Sequence, residues 1–165
     1  MVFFNSNTRL PTKIVNVILT QTDTTVGFLS EDILKLQEIK SRQSNKPFIK
    51  VYKNLKSFKA DLKRVPNSKK SLVRRSTKTT FIIKNSAFRI ASDNLNSSIL
   101  RNTQWNYSTS ANESGKRFNR KFCESKADII IEDKNSLYEG SPSSLYRINS
   151  RKMERLRWVN FFKHY

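Results

Sequence analysis

Lys40 and Arg42 lie two positions apart and offer an ammonium point charge and a planar guanidinium fork. That combination suits the oxygens of a phosphate or a carboxylate. Taken alone, the pair reads first as the solvated end of a helix. Small polar side chains gather in two further segments, with Thr22, Asp23 and Thr24 in QTDTTVGF and Ser110 and Asn112 in TSANESG. The Thr22 and Thr24 hydroxyls can orient a small polar substrate, or all three residues simply close a turn through an Asx-type hydrogen bond. The second can donate and accept beside a glycine-permitted turn, or cap the end of a strand. Only three glycines occur in the chain, Gly27, Gly115 and Gly140. Each is expected to mark backbone where a side chain would not fit. All three fall in short polar segments at the end of a strand or just before one, and ligands of open α/β sheets collect at strand-end loops.

What the chain lacks narrows the chemistry. Its one histidine is His164, near the C-terminus, which argues against His-based triads and multi-histidine metal sites. Its one cysteine, Cys123, rules out intrachain disulfides and CxxC zinc sites and fits a reducing compartment. It lies in a helix candidate with Phe118 and Phe122, so a buried structural thiol is expected rather than a nucleophile. Trp105 and Trp158 are expected to pack rather than stack on bases. No apolar run approaches the roughly 20 residues of a membrane helix, and no secretory leader is visible, so a cytoplasmic protein with no membrane partner is expected. Lys and Arg total 32 against 13 Asp and Glu, a net charge of +19 that points to an anionic partner.

The elements that must hold these residues alternate along the chain. Strands are expected at Lys13–Thr20, Phe48–Tyr52, Thr79–Ile83, Ala87–Ala91, Tyr107–Ser110, Asp128–Glu132 and residues 143–148. Ser30 ahead of Glu31 and Asp32 predicts an N-cap, with Ile33, Leu36 and Ile39 on one face of the helix after it. Leu55, Phe58, Leu62 and Val65 mark a second amphipathic helix, closed by Val65-Pro66-Asn67 and followed by a basic loop. A short helix is expected near Leu95–Leu100 and another around Cys123, while Arg155–Phe162 suits either a strand or a last helix. The alternation predicts an α/β fold: one domain over residues 1–165, with a twisted mixed sheet flanked by helices.

Four segments together resemble the Sua5/YrdC/YciO family of threonylcarbamoyl-adenylate synthases. QTDTTVGF (21–28) is similar to the family's PTDTVYGL, and KSRQSNKP (40–47) to its K-x-R followed by Lys-Pro. TSANESG (109–115) matches the S-x-N signature, and GSPSSLY (140–146) resembles G-x-x-STV, with Ser143 and Ser144 in place of Ser-Thr. The family's later I-L-R falls on Arg155-Leu156-Arg157. The motif-bearing part runs over about 13–158, and the order and spacing of the segments make the resemblance specific.

The resemblance implies a YrdC-like fold and a nucleotidyltransferase. Its substrates would be L-threonine, bicarbonate and ATP, and its products threonylcarbamoyl-AMP and pyrophosphate. A downstream threonylcarbamoyl transferase complex would carry the acyl group to adenosine 37 of tRNA. Lys40 and Arg42 would be the catalytic cations against the ATP phosphates, since charge builds on the leaving oxygens as pyrophosphate departs. Thr22 and Thr24 would face threonine and bicarbonate; Ser110, Asn112, Ser143 and Arg157 would join Lys40 and Arg42 on the nucleotide. Mg2+ would accompany ATP, with no protein ligands to the metal identified.

Gln21 and Val26 stand where the family has Pro and Tyr. Ser76-Thr77-Lys78 occupies the Gly-Pro region, and Arg89-Ile90-Ala91-Ser92-Asp93 replaces R-x-P-x-H. An alternative therefore stays open: a catalytically degenerate YrdC-like module that binds tRNA or double-stranded RNA. Between Lys53 and Lys78 stand ten Lys or Arg and one acid, Asp61. Lys69, Lys70, Arg74 and Arg75 are the candidates there for phosphate contacts, against the alternative of a solubilising face.

Overall fold

In the computed structural model, residues 2–4, 16–40, 48–61, 63–91, 99–100 and 103–157 are described. Ten short strands join one mixed sheet. They are β1 (Val2–Phe4), β2 (Ile18–Gln21), β3 (Val26–Ser30), β4 (Ile49–Tyr52), β5 (Thr79–Ile83), β6 (Ser86–Ile90), β7 (Trp105–Ser110), β8 (Ile129–Ile131), β9 (Ser144–Ile148) and β10 (Met153–Arg157). Their spatial order is β1-β8-β2-β3-β7-β4-β6-β5-β9-β10. Pairs β1/β8, β2/β8, β4/β6 and β5/β9 are parallel and the others antiparallel. Helices α1 (Ile33–Lys40), α2 (Leu55–Ala60), α3 (Lys70–Arg75) and α4 (Arg120–Lys126) and a 3-10 turn at Asn67–Lys69 fill the connections.

Side chains alternate between the two faces of a strand, and both faces are covered here, so runs such as Ile129–Ile131 are apolar throughout. Leu19, Phe28 and Ile130 point into a core shared with Leu36 of α1 and Cys123 of α4. Their neighbours Ile18, Leu29, Ile129 and Ile131 point to the opposite face, against Ile99. A second large core sits under α2 and α3, where Phe58 and Val73 meet Tyr52, Phe81 and Phe88. Phe58 and Phe88 pack at a ring-centroid distance of 4.3 Å.

Five expectations need adjustment. The first strand is described from Ile18 and runs on to Gln21; residues 13–15 lie outside the described residues. The QTDTTVG segment is not wholly a turn, because Val26–Ser30 is a strand buried along its whole length. Gly27 and Ser30 weaken its β signature, and the partners on both sides, β2 and β7, supply what propensity does not. Helix α1 starts two residues later than the Ser30 cap implies: the Leu34 amide donates to Asp32 Oδ1 at 2.9 Å, while Ser30 Oγ accepts from the Asp32 amide. The expected basic loop contains the 3-10 turn and α3, which Val73 anchors from below. Helix α2 ends at Ala60 with its C-cap at Asp61, short of the expected close at Val65-Pro66-Asn67. Of the two readings of Arg155–Phe162, residues 153–157 take the strand. Strand β1 carried no expectation at all. Leu62, Trp158, His164 and most of the expected 95–100 helix lie outside the described residues, although Ile99 and Leu100 are helical and buried.

Candidate functional site

The turn between β2 and β3 is built on one hydroxyl. Thr22 Oγ1 accepts from the amides of Thr24 and Thr25 at 3.3 Å each and donates to the Thr25 carbonyl at 2.6 Å. A turn closed by its own side chain in this way holds the next strand in a fixed direction. The loop ahead of β9 is laid across this turn. The Val26 amide donates to the Tyr138 carbonyl, and the Tyr138 amide donates to Gln21 Oε1 at 3.1 Å. Gly140 donates its amide to Thr25 Oγ1 at 3.1 Å. Gln21 thus ties the turn to the loop with a side-chain amide.

Arg89 of β6 links these segments to the rest of the sheet. Its Nη1 donates to Asp23 Oδ1 at 2.6 Å and to Thr24 Oγ1 at 3.2 Å, and its Nη2 donates to Thr80 Oγ1 at 3.1 Å. Asp23 also accepts from the Lys78 amide at 3.0 Å. The Arg89–Asp23 pair is nearly buried, with side chains 8% and 10% exposed, so removing either partner would leave a desolvated charge. The buried Nε of Arg89 has no partner among the described residues. Thr80 Oγ1 lies 2.9 Å from Ser143 Oγ, and Arg157 donates to the Ser143 carbonyl through Nε at 3.0 Å and Nη2 at 2.7 Å. A register shift between Arg155 and Arg157 in the β9/β10 pairing aims this last guanidinium inward. Desolvation and the neighbouring Arg89 charge both pull Arg157 below the ordinary guanidinium range. Among the described residues, two guanidiniums stand beside one carboxylate, a net positive set.

Between these groups lies a cleft of about 340 Å3, lined by Thr22, Thr24, Ser110, Ser143, Arg89 and Arg157, among others. Gly27 lies on its wall, where an added Cβ would meet Thr109 O and Thr22 Cγ2 at 3.1 Å each. Five of the sequence-derived candidates, Thr22, Thr24, Ser110, Ser143 and Arg157, therefore meet at one place. Thr22 gives its hydroxyl to the turn and Thr24 receives a bond from Arg89. Lys40 and Asn112 stand one step back. Lys40 is 1% exposed, and its Nζ donates to the Asn112 carbonyl and to Asn112 Oδ1 at 2.7 Å each. Ser110 Oγ, on the cleft wall, donates to the same Oδ1 at 2.7 Å. Arg42 lies outside the described residues. Lys69, Lys70, Arg74 and Arg75 lie on or beside α3 and do not line the cleft.

Reading the sequence did not single out Arg89, Asp23 or Thr80 as parts of the site. Arg89 stands at the first position of the R-x-P-x-H segment, and that alignment was the available signal. Burial pushes the Cys123 thiol up, and the side chain packs in the core beneath α4. Among the described residues, no cluster of three or more His, Cys, Asp or Glu side chains could hold a metal, and no helix is long and apolar enough to cross a membrane.

Solved structures share this architecture. The P. abyssi Sua5 structure complexed with L-threonine superposes with a TM-score of 0.77 at 17% identity, covering 95% of this chain. This chain spans only 57% of that protein. E. coli YciO gives a TM-score of 0.71 at 15% identity, covering 88% of this chain and 84% of YciO. Full-length HypF in a phosphate- and nucleotide-bound form gives 0.68 at 12% identity, covering 86% of this chain and 26% of HypF. No curated protein matches the chain. At these identities the structural likenesses establish the fold alone. The family model Sua5/YciO/YrdC, described as telomere recombination, matches residues 15–158 and so takes in all four motifs, Arg157 and the whole cleft; the chain belongs to the Sua5/YciO/YrdC family.

Proposed function

We propose that this chain makes threonylcarbamoyl-AMP from L-threonine, bicarbonate and ATP. The amine of threonine condenses with bicarbonate, releasing water. A carbamate oxygen then bonds to the α-phosphorus of ATP while the bond to pyrophosphate breaks. The observation carrying this reading is the convergence of Thr24, Ser110, Ser143 and Arg157 with Arg89 on one net-positive cleft of about 340 Å3, a size suited to small-molecule ligands. The fixed guanidiniums of Arg89 and Arg157 suit a reaction that moves negative charge between oxygens and needs no protein nucleophile. Arg42 supplies the fork of the K-x-R pair to the phosphates. Lys40 acts through Asn112, holding the Ser110–Asn112 turn against the nucleotide side.

Mg2+ arrives with ATP as part of the substrate. The threonine in the P. abyssi Sua5 structure and the nucleotide and phosphate in HypF are ligands of the same chemical classes. The acyl group then passes to tRNA through a separate threonylcarbamoyl transferase. The deciding experiment incubates the full chain with ATP, L-threonine, bicarbonate and Mg2+ and measures pyrophosphate and the adenylate. Product that depends on both threonine and bicarbonate is expected. ATP binding by calorimetry with no pyrophosphate would overturn the synthase reading in favour of a fold that keeps the cleft and has lost catalysis.

A further inference from the structure

The loop that leads into β9 forms one wall of the cleft through Pro142 and Ser143. Burial anchors it at both ends. Leu137 packs in the core with Leu19 and Phe28, and Ser143 is buried against Thr80 and Arg157. Between those anchors Tyr138, Glu139, Ser141 and Pro142 are exposed, so packing does little to fix the stretch. Among the described residues, three hydrogen bonds place it instead. The Val26 amide donates to the Tyr138 carbonyl, the Tyr138 amide to Gln21 Oε1 and the Gly140 amide to Thr25 Oγ1, each at 3.1 Å.

Gln21 is the member of this set that the chain need not have carried. It is the last residue of β2, faces Val26 in the ladder and is 9% exposed. A side-chain amide so nearly buried costs free energy unless its polar atoms are used, and its Oε1 is used on the Tyr138 amide. Tyr138 thereby has both backbone polar groups paired, one with the turn and one with the strand before it. The family motif has proline at this position, and a proline side chain accepts nothing.

We infer that Gln21 is a positioning residue, which sets where the 137–143 loop lies across the Thr22–Val26 turn and so where Ser143 and Arg157 stand for the nucleotide. Arg157 is drawn in because its Nε and Nη2 both donate to the Ser143 carbonyl, so a displaced loop carries that acceptor away. The inference rests on reading the cleft as the ATP site, but not on turnover there. A glutamine that served stability alone would lower the melting temperature and leave the affinity of the folded chain unchanged.

The test compares Gln21→Met and Gln21→Glu with wild type by amide hydrogen exchange and by calorimetric titration with ATP. Methionine keeps the length of the side chain and removes its strong acceptor. In Gln21→Met the Tyr138 amide should exchange at least about threefold faster, and ATP should bind about 3- to 10-fold more weakly. Gln21→Glu keeps an acceptor, so Tyr138 exchange should stay within about twofold of wild type. If Gln21→Met fails to fold, Thr25→Val frees Gly140 from the same loop and should weaken ATP binding to a similar extent. Pyrophosphate release is measured separately: a wild type that binds ATP without turnover defeats the synthase reading, while the ratio of affinities still decides the role of Gln21. A Gln21→Met protein that exchanges or binds ATP like wild type would overturn the inference. So would a Thr25→Val protein with freed Gly140 and unchanged affinity, or a wild type with no affinity for ATP.

Discussion

Gly140 presses its backbone against the carbonyl of Thr24: a Cβ built on Gly140 would fall well inside 3.0 Å of Thr24 O, with Thr24 C at 3.0 Å. The obstacle is backbone, so no rotamer change relieves it. Replacing Gly140 by Ala must push the 137–143 loop off the Thr22–Val26 turn and break the bond from the Gly140 amide to Thr25 Oγ1. A loss of about 2–4 kcal/mol in stability is expected, together with loss of ATP binding. Gly115 makes the contrasting case. Its φ is +81° but nothing lies within 4 Å of an added Cβ, so Gly115→Ala should cost only about 1–2 kcal/mol of backbone strain. Urea melts of the two variants give the comparison.

Arg157 should show the value of a fork over a point charge. Arg157→Ala is expected to weaken ATP binding about 10- to 150-fold, the worth of charge-assisted hydrogen bonds of about 1.5–3 kcal/mol. Arg157→Lys should recover only part of this, because one ammonium cannot reproduce the paired Nε and Nη2 bonds that Arg157 gives the Ser143 carbonyl. Isothermal titration with ATP measures both; wild-type affinity in both variants would remove Arg157 from the site.

The Lys40–Asn112 contact should register as a coupling. Asn112→Ala takes one acceptor from a buried ammonium and is expected to cost about 1–3 kcal/mol. In a double-mutant cycle with Lys40→Met the two changes should fall short of additivity by at least about 0.5 kcal/mol. Additive losses would mean that the two side chains act independently.

Asp61 should make stability depend on acid. Desolvation works to raise its pKa, but hydrogen bonds from Lys50 and Tyr52 and the Lys50 charge outweigh it and hold the carboxyl below its ordinary 3.8. A carboxyl depressed in the folded state stabilises the fold above its unfolded pKa, and that contribution fades as pH falls through the folded value. Asp61→Asn should therefore be less stable than wild type at neutral pH, with the gap closing below about pH 4. Tyr52 acts at the other end: burial, then Asp61, holds its phenol far above the usual range. Its contribution is present below about pH 10 and should be lost as pH rises beyond that. Thermal melts across pH of Asp61→Asn and Tyr52→Phe check both limbs.

Fold class, the helix face carrying Leu36 and the cleft residues Thr24, Ser110, Ser143 and Arg157 were all legible in the sequence, because each sits in a periodic or motif-bearing run. The strand Val26–Ser30 was not, since its stability comes from distant neighbours in β7 rather than from its own propensity. Arg89 escaped for a related reason. Its partners Asp23 and Thr80 come from two other segments, and no local spacing reveals a pair that the sheet alone brings together. Nor did spacing show that Lys40 would turn inward onto Asn112, 72 positions along the chain.

The cleft also has a history within folding. Arg89 reaches Thr24 across 65 positions, Thr80 reaches Ser143 across 63, and Gly140 reaches Thr25 across 115. Contacts of such separation form only after the intervening chain has collapsed and are entropically dear to close. The ligand pocket should thus be among the last parts of the molecule to take shape and among the first to come apart. ATP would then protect the native state by slowing its unfolding rather than by hastening its folding.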